Sequence, residues 1–155
     1  MKRLLSVLFI ATLLASCSSD DDSSSAGATI VGAWTLTEAN LAIPQDFNND
    51  GTADRNFMDE VPCFEGDLTF TAEGAFTQNF SKVEVQVIND ETVYVCNGTI
   101  TSTGTYELDG NQLTTTTNTT TPEITTTTID LNGNTLKASF GFDSFGEVEL
   151  VYHKG

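Results

Sequence analysis

The feature that most constrains the fold is a regular succession of short β-type runs separated by turn residues. In residues 81–88, valine occupies every second position from 83 to 87, while lysine, glutamate and glutamine alternate with it. A period of two predicts a strand with one buried face. Such runs recur about every ten residues, with turn pairs such as Asn97-Gly98 and Asn132-Gly133 between them. The predicted runs are 30–40, 67–71, 75–80, 81–88, 92–96, 99–108, 112–121, 123–131, 135–142 and 148–154.

These runs predict an all-β fold. Antiparallel strands joined by short turns close best as a barrel, because closure removes the exposed edges of the sheet. We therefore predict an antiparallel up-and-down β-barrel of about eight strands, with a β-sandwich as the alternative. The threonine-rich runs 114–117, 119–121 and 125–128 are interpreted as solvated sheet faces, since threonine is both β-branched and polar.

The N terminus has the order of a secretion signal. Lys2 and Arg3 form a basic start, an apolar run of about eleven residues follows, and Leu14-Ala15-Ser16-Cys17 comes next. This apolar run is too short for the roughly twenty residues of a spanning helix. Its end resembles the lipobox of bacterial lipoproteins, in which the cysteine is acylated; an ordinary cleaved signal is the alternative. We predict a signal peptide over 1–16, a lipidated disordered tether over 17–28 and a folded domain over 29–155.

Charge narrows the range of partners. The chain has 22 acidic and 6 basic residues, a formal net charge of −16. This excess of negative charge repels the phosphates of nucleic acid and argues against a nucleic-acid-binding function. The block Asp20-Asp21-Asp22 resembles the acidic export signal that follows the cysteine in surface lipoproteins of the Bacteroidetes. The resemblance implies an outer-membrane lipoprotein exposed at the cell surface, with the periplasmic face as the alternative.

Two cysteines remain once Cys17 is assigned to the lipid. Cys63 and Cys96 form an even pair in a chain predicted to be exported, where thiols are oxidised. A redox pair would favour a close Cys-x-x-Cys spacing, which these two residues do not have. We therefore predict a structural disulfide between Cys63 and Cys96, with two buried free thiols as the alternative.

Residues 46–54 carry the strongest local motif for a metal. Oxygen side chains fall at positions 1, 3, 5 and 9 of a calcium-loop pattern, and glycine falls at position 6. Position 12 is Phe57 rather than the usual bidentate glutamate, so the pattern is incomplete. The predicted calcium ligands are Asp46, Asn48, Asp50, the carbonyl of Thr52, and Asp54. A polar turn in a surface loop is the alternative.

Three motifs carry a family resemblance. Gly32-Ala33-Trp34 is a Gly-x-Trp sequence at the start of the domain, and hairpin sequences follow at 104–111 (GTYELDGN) and 131–136 (LNGNTL). Together with the lipobox, they resemble the lipocalin-like lipoproteins of the Bacteroidetes over about four-fifths of the chain. The resemblance implies a lipocalin-like barrel whose interior holds a small apolar molecule.

The resemblance also implies roles for individual residues. Trp34 would close one end of the barrel, and Gly32 would permit close approach of the backbone. In lipocalins a basic side chain of a late strand often lies across this tryptophan. Here the candidates are His153 and Lys154, in place of an arginine.

Two classes of function follow. Catalytic signals are scarce, since His153 is the single histidine and the sequence has neither a nucleophile elbow nor a glycine-rich phosphate loop. We predict a non-enzymatic barrel that binds a small apolar molecule. The alternative is a cell-surface interaction or adhesion module that acts through its loops on a protein or glycan, stabilised by calcium. The residues predicted to line the cavity are Phe70, Phe76, Phe80, Val83 and Val85.

Overall fold

The computed structural model of the protein describes residues 29–142 and 146–155. The predicted signal peptide (1–16) and tether (17–28), which include Cys17 and the acidic block, lie outside the described residues. Within these two described ranges, no helix combines the length and the apolar character needed to cross a membrane.

The described chain folds as an eight-stranded antiparallel barrel. Each strand from β3 to β8 pairs with the next strand in sequence, and β1 pairs with both β3 and β9, which closes the sheet. β2 pairs with the far end of β1 and lies outside the ring of eight. The predicted up-and-down barrel is confirmed. The elements are β1 (Gly32–Gln45), β2 (Asp54–Asn56), α1 (Phe57–Glu60), β3 (Gly66–Phe70), β4 (Ala75–Ile88), β5 (Glu91–Asp109), β6 (Gln112–Thr117), β7 (Ile124–Asn132), β8 (Thr135–Phe142) and β9 (Gly146–Lys154).

The barrel has two different ends. The β3–β4, β5–β6 and β7–β8 hairpins lie at one end, together with the start of β1 and the end of β9; we name this the closed end. The opposite, open end contains the β4–β5 connection, the end of β8 and the start of β9. Here the β5–β6 ladder ends at Gly104–Thr117 and the β7–β8 ladder ends at Ile129–Ala138. β5 and β8 therefore extend further toward the open end than β6 and β7, which lie between them. The barrel wall is low at this place, which we name the side gap.

Two predicted strand breaks are absent from the structure. Runs 75–80 and 81–88 form the single strand β4, and runs 92–96 and 99–108 form β5. Asn97-Gly98 is therefore not a hairpin turn. Gly98, with φ of 87°, lies where the β4–β5 register shifts. A glycine accommodates the positive φ of a bulge, so the turn signal here produces a bend within a long strand.

The β4–β5 hairpin extends beyond the barrel wall as a two-stranded ribbon. The β3–β4 ladder ends at Gly66–Phe80, so the later residues of β4 pair only with β5. Val85 and Val87 are 61% and 71% exposed. The predicted alternation is present, but within the described part of the chain no opposing wall covers Val85 and Val87. The prediction that Val85 lines the interior is therefore wrong.

The structure joins Cys63 and Cys96 in the disulfide that the sequence predicts, with a Cα–Cα distance of 5.9 Å. Cys63 lies just after α1, and Cys96 lies in β5 where the ribbon leaves the barrel. The two sides of the link are also joined by hydrogen bonds. Ser81 Oγ donates to the Cys63 carbonyl (3.0 Å) and accepts from the Glu65 backbone N–H (3.0 Å). The disulfide therefore fastens the segment after α1 to the base of the ribbon.

Removing this disulfide should destabilise the protein. The cross-link joins residues 33 positions apart. Closing a loop of that length lowers the entropy of the unfolded chain, which raises the free energy of unfolding by about 3–4 kcal/mol. We expect the double substitution Cys63→Ser/Cys96→Ser to lower the free energy of unfolding by about this amount, measured by urea denaturation under non-reducing conditions. Cys17→Ser is the matched control and should leave the free energy unchanged. A loss below about 1 kcal/mol in the double variant would contradict the assignment.

Candidate functional site

A tryptophan and a lysine seal the closed end. Trp34 is 1% exposed, and its Nε1 atom donates to the Ile30 carbonyl at 2.7 Å. Lys154 is the direct neighbour of Trp34 in the β1–β9 ladder, and its Nζ atom lies 5.1 Å from the centroid of the indole ring. The ammonium also donates to the Thr29 carbonyl at 3.0 Å. Of the two basic candidates, Lys154 thus lies over the tryptophan, while His153 is exposed.

Gly32 makes room for this lysine. Its φ is 137°, a conformation that side-chain-bearing residues rarely adopt, and an added Cβ would lie 2.6 Å from Lys154 Cε. The resemblance implies that Gly32 permits close approach of the backbone. In the structure, the group that approaches Gly32 closely is the side chain of Lys154. Gly32, Trp34 and Lys154 together form a lid at the closed end.

The open half of the barrel contains an apolar cavity of about 420 Å3, which we name the outer compartment. Phe80 and Val83 line it, as the sequence predicts, and Val148 and Leu150 of β9 lie among its other apolar walls. Phe57 of α1 and Phe64 after α1 also line it, although the strand pattern contains no signal for them. Phe64 stacks on Phe80 with ring centroids 5.7 Å apart. The segment 57–64 therefore completes a wall that the strands alone leave incomplete.

A smaller cavity of about 250 Å3, the inner compartment, lies toward the closed end. Phe70 and Phe76 line it, so these two predicted residues are separated from Phe80 and Val83. Gln78 and Phe140 line both compartments, which makes the two spaces neighbours. The remaining wall on the β6–β7 side consists largely of threonine: Thr115, Thr117, Thr125 and Thr127. Alternate residues of the runs 114–117 and 125–128 therefore line the interior. The prediction that these runs are solvated faces is wrong for Thr115, Thr117 and Thr127, which are half-buried, whereas Thr125 is exposed.

A third space of about 580 Å3 lies outside the barrel, where β7 and β8 diverge. Its walls include the charged residues Asp130, Lys137 and Glu149. Lys137 and Glu149 form an ion pair at 3.6 Å and are each about two-fifths exposed. This groove is larger than either compartment, but it is a polar feature of the outer surface.

The predicted calcium loop is held by hydrogen bonds of its own. The Asp46 carboxylate accepts from the Gly51 N–H at 3.0 Å, and the Asp50 carboxylate accepts from the Thr52 N–H at 2.7 Å. Asn48 Oδ1 accepts from the Asp50 N–H at 2.9 Å. Among the described residues, no three histidine, cysteine, aspartate or glutamate side chains converge as a metal site would require. Calcium binding by Asp46, Asn48, Asp50, Thr52 and Asp54 stays a prediction.

Glu60 organises this loop, although the motif does not include it. The residue is 4% exposed and belongs to α1. One oxygen accepts from the Phe47 and Asn48 N–H groups (2.9 and 3.3 Å), and the other accepts from the Asp54 N–H (3.0 Å). These bonds fold the loop around one buried acid, and Phe47 then packs edge-on against Phe57 and Tyr94. The loop thereby braces both α1 and the ribbon.

Glu60→Gln should destabilise the loop. The amide nitrogen of glutamine cannot accept a hydrogen bond, so at least one buried N–H group loses its partner at a cost of about 1–3 kcal/mol. We expect that decrease in the free energy of unfolding, measured by urea denaturation. Glu65→Gln is the matched control, because Glu65 is exposed and its backbone N–H, not its carboxylate, makes the local hydrogen bond. Equal stability of the two variants would contradict the role of Glu60.

Comparison with known proteins assigns the family. The sequence model of the lipocalin-like domain matches residues 30–138, more than half of the 155-residue chain. The structure is similar to that of a lipocalin-like protein from Bacteroides uniformis (TM-score 0.44, 18% identity, 81% of this chain and 97% of that one). It is also similar to fatty-acid-binding protein 1 of Echinococcus granulosus (TM-score 0.37, 13% identity, 81% and 96%). The search of curated proteins found no match. By the match over residues 30–138, this chain belongs to the lipocalin-like domain family.

Proposed function

We propose that the protein is a membrane-anchored, extracytoplasmic lipoprotein whose barrel binds a small apolar molecule. The observation that carries the proposal is the outer compartment. Its volume of about 420 Å3 lies within the range of about 300–1,000 Å3 that is typical of ligand sites. Most of its walls are aromatic and aliphatic side chains, so a ligand would bind by removing apolar surface from water.

Access to the compartment is from the open end. The lid of Trp34 and Lys154 occupies the closed end, whereas Ile100 and Phe140 line the outer compartment beside the side gap. Ile100 lines the compartment and is nevertheless 54% exposed. This combination is expected of a residue at the entrance of a cavity. A ligand would therefore enter between β5 and β8, where the wall is low.

The chemistry of the compartment favours binding rather than catalysis. Its polar lining side chains are Gln78 and Ser81. Ser81 Oγ is already engaged, since it donates to the Cys63 carbonyl. Neither an amide nor an engaged hydroxyl supplies the acid–base pair that general catalysis needs. We therefore propose a binding protein and not an enzyme.

Blocking the compartment should abolish binding. We expect the full chain to bind N-phenyl-1-naphthylamine, an uncharged fluorescent probe, at one saturable site with a blue shift in emission. Val83→Trp places an indole at the compartment wall and should raise the dissociation constant about tenfold or more, equivalent to at least about 1.4 kcal/mol. Probe fluorescence titration is the measurement.

Val85→Trp is the matched control for this experiment. Val85 lies two residues further along the same face of β4, but outside the compartment. We expect its affinity for the probe to equal that of the wild type. Absence of saturable binding to the wild type, or an equal effect of the two tryptophans, would refute the binding proposal.

The anchor and the location are proposed from the sequence. We propose that Cys17 carries the lipid and that Asp20-Asp21-Asp22 directs the protein to the cell surface. In its source cells, Cys17→Ala should abolish incorporation of radiolabelled palmitate and release the protein from the membrane fraction. Replacing the three aspartates by alanine should retain the label but protect the protein from protease added to intact cells. An unlabelled wild type would refute the anchor, and protease resistance of the wild type would refute surface exposure.

A second candidate function is interaction with a surface protein or glycan through the loops. The observation that favours it is the ribbon, which exposes Val85, Val87 and Ile88 to solvent. Loop 46–54 braces this ribbon, because Asn49 Nδ2 donates to the Thr92 carbonyl at 3.0 Å. Calcium bound in that loop would stiffen the same surface. A wild type that binds no apolar probe would favour this candidate.

A further inference from the structure

Tyr152 carries a hydroxyl group that the barrel buries without a partner. The residue is 1% exposed, faces inward from β9 and lines the inner compartment. Among the described residues, its Oη atom has no hydrogen-bond partner. Buried hydroxyls in folded proteins nearly always have one, so an unpaired group that lines a cavity points to a ligand.

Further polar groups surround this hydroxyl. Gln78 lies beside Tyr152, and Ser102 and the four inward threonines line the same compartment. Burial raises the pKa of the Tyr152 phenol above its usual range. The Gln78 side chain, close enough to act on the phenol but outside the geometry of a formed hydrogen bond, lowers the pKa in part, and the Asp67 charge raises it further. The phenol therefore stays protonated and is available as a donor. The inner compartment thus combines donors and acceptors, in contrast to the apolar outer one.

Neither compartment offers a positive charge. The basic side chains of the described residues all lie elsewhere: Arg55 donates to the Leu41 and Ala42 carbonyls, Lys82 and Lys137 pair with glutamates, His153 is exposed, and Lys154 belongs to the lid. The acid that borders the inner compartment is Glu123. A carboxylate or phosphate would be desolvated there without a counter-charge, which is strongly unfavourable.

We infer that the barrel takes an uncharged amphipathic molecule, whose hydroxyl or carbonyl group bonds to Tyr152 and Gln78 while its hydrocarbon part fills the outer compartment. This inference rests on the proposed binding function and adds the ligand's chemical class and orientation. Gln78 and Phe140, which line both compartments, mark the boundary between the polar head and the apolar tail.

Competition between two ten-carbon molecules tests the inference. The full chain is loaded with N-phenyl-1-naphthylamine at pH 8, and the probe is displaced by 1-decanol or by decanoate, which is ionised at that pH. We expect decanol to displace the probe at a concentration about tenfold or more below that of decanoate, because only the carboxylate brings an uncompensated charge. Tyr152→Phe should weaken decanol binding about three- to tenfold, the usual worth of one hydrogen bond.

Stability separates a binding role from a structural one. Because no described residue forms a hydrogen bond with Tyr152 Oη, Tyr152→Phe should leave the midpoint of thermal unfolding of the unliganded protein unchanged or raise it. Tyr106→Phe is the matched control. Tyr106 Oη donates to the Thr71 carbonyl at 2.9 Å, and its ring packs on Phe70. This variant should lose stability and keep its affinity for decanol.

The possible results distinguish a failure of this inference from a failure of the proposed binding function. Displacement by decanoate at concentrations equal to or below those of decanol would overturn the inference and leave the proposed binding function standing. Unchanged decanol affinity in Tyr152→Phe would overturn the assigned contact. Failure of the wild type to bind the probe at all would refute both proposals together.

Discussion

The antiparallel pairing of β1 with β9 is the constraint on which the rest of the structure depends. It runs from Trp34–Lys154 at the closed end to Leu41–Val148 at the open end, with one shift of register after Leu36. Without it the remaining strands would form an open sheet with two exposed edges. With it, alternate side chains of eight strands point into one shared interior. The same pairing also brings Lys154 to Trp34, so the closure of the sheet and the sealing of its end have one cause.

How that interior is filled determines what the protein can do. On the β1, β3 and β9 side the inward residues include Trp34, Phe70 and Tyr152, which are large and almost fully buried. On the β6–β7 side they include threonines, whose short side chains do not reach across the barrel. Large residues on one side and small ones on the other leave space in the middle. The low wall between β5 and β8 connects that space to solvent.

Much of this was predictable from the sequence, because local patterns encode local geometry. Alternation and turn residues predict antiparallel strands, and the need to remove edges predicts closure. The prediction for Val85 failed because alternation shows which residues share a face and not whether another wall covers that face. The prediction of a turn at Asn97-Gly98 failed for a related reason, because a glycine with positive φ occurs in β-bulges as well as in turns.

The least predictable parts of the site depend on distant residues. Nothing in the sequence near Tyr152 indicates that its hydroxyl lacks a partner, since that depends on what β3, β4 and β8 place around it. The role of Glu60 is equally hard to predict from the residues around it, because its three N–H partners lie 6 to 13 positions earlier in the chain. The threonine runs did contain a usable signal. In the runs 114–117 and 125–128, the odd-numbered residues continue the inward register of Leu113 and Ile129, which alternation alone could have revealed.

The central claim is that the barrel interior is a ligand site and not a packing defect. Native mass spectrometry of the protein isolated from its source cells tests it most directly, followed by denaturation and identification of any released molecule. The account predicts one uncharged molecule per chain, with a polar group at one end of an apolar body. A chain that carries no bound molecule after isolation, and takes up none when mixed with the neutral lipids of its own membrane, would contradict it.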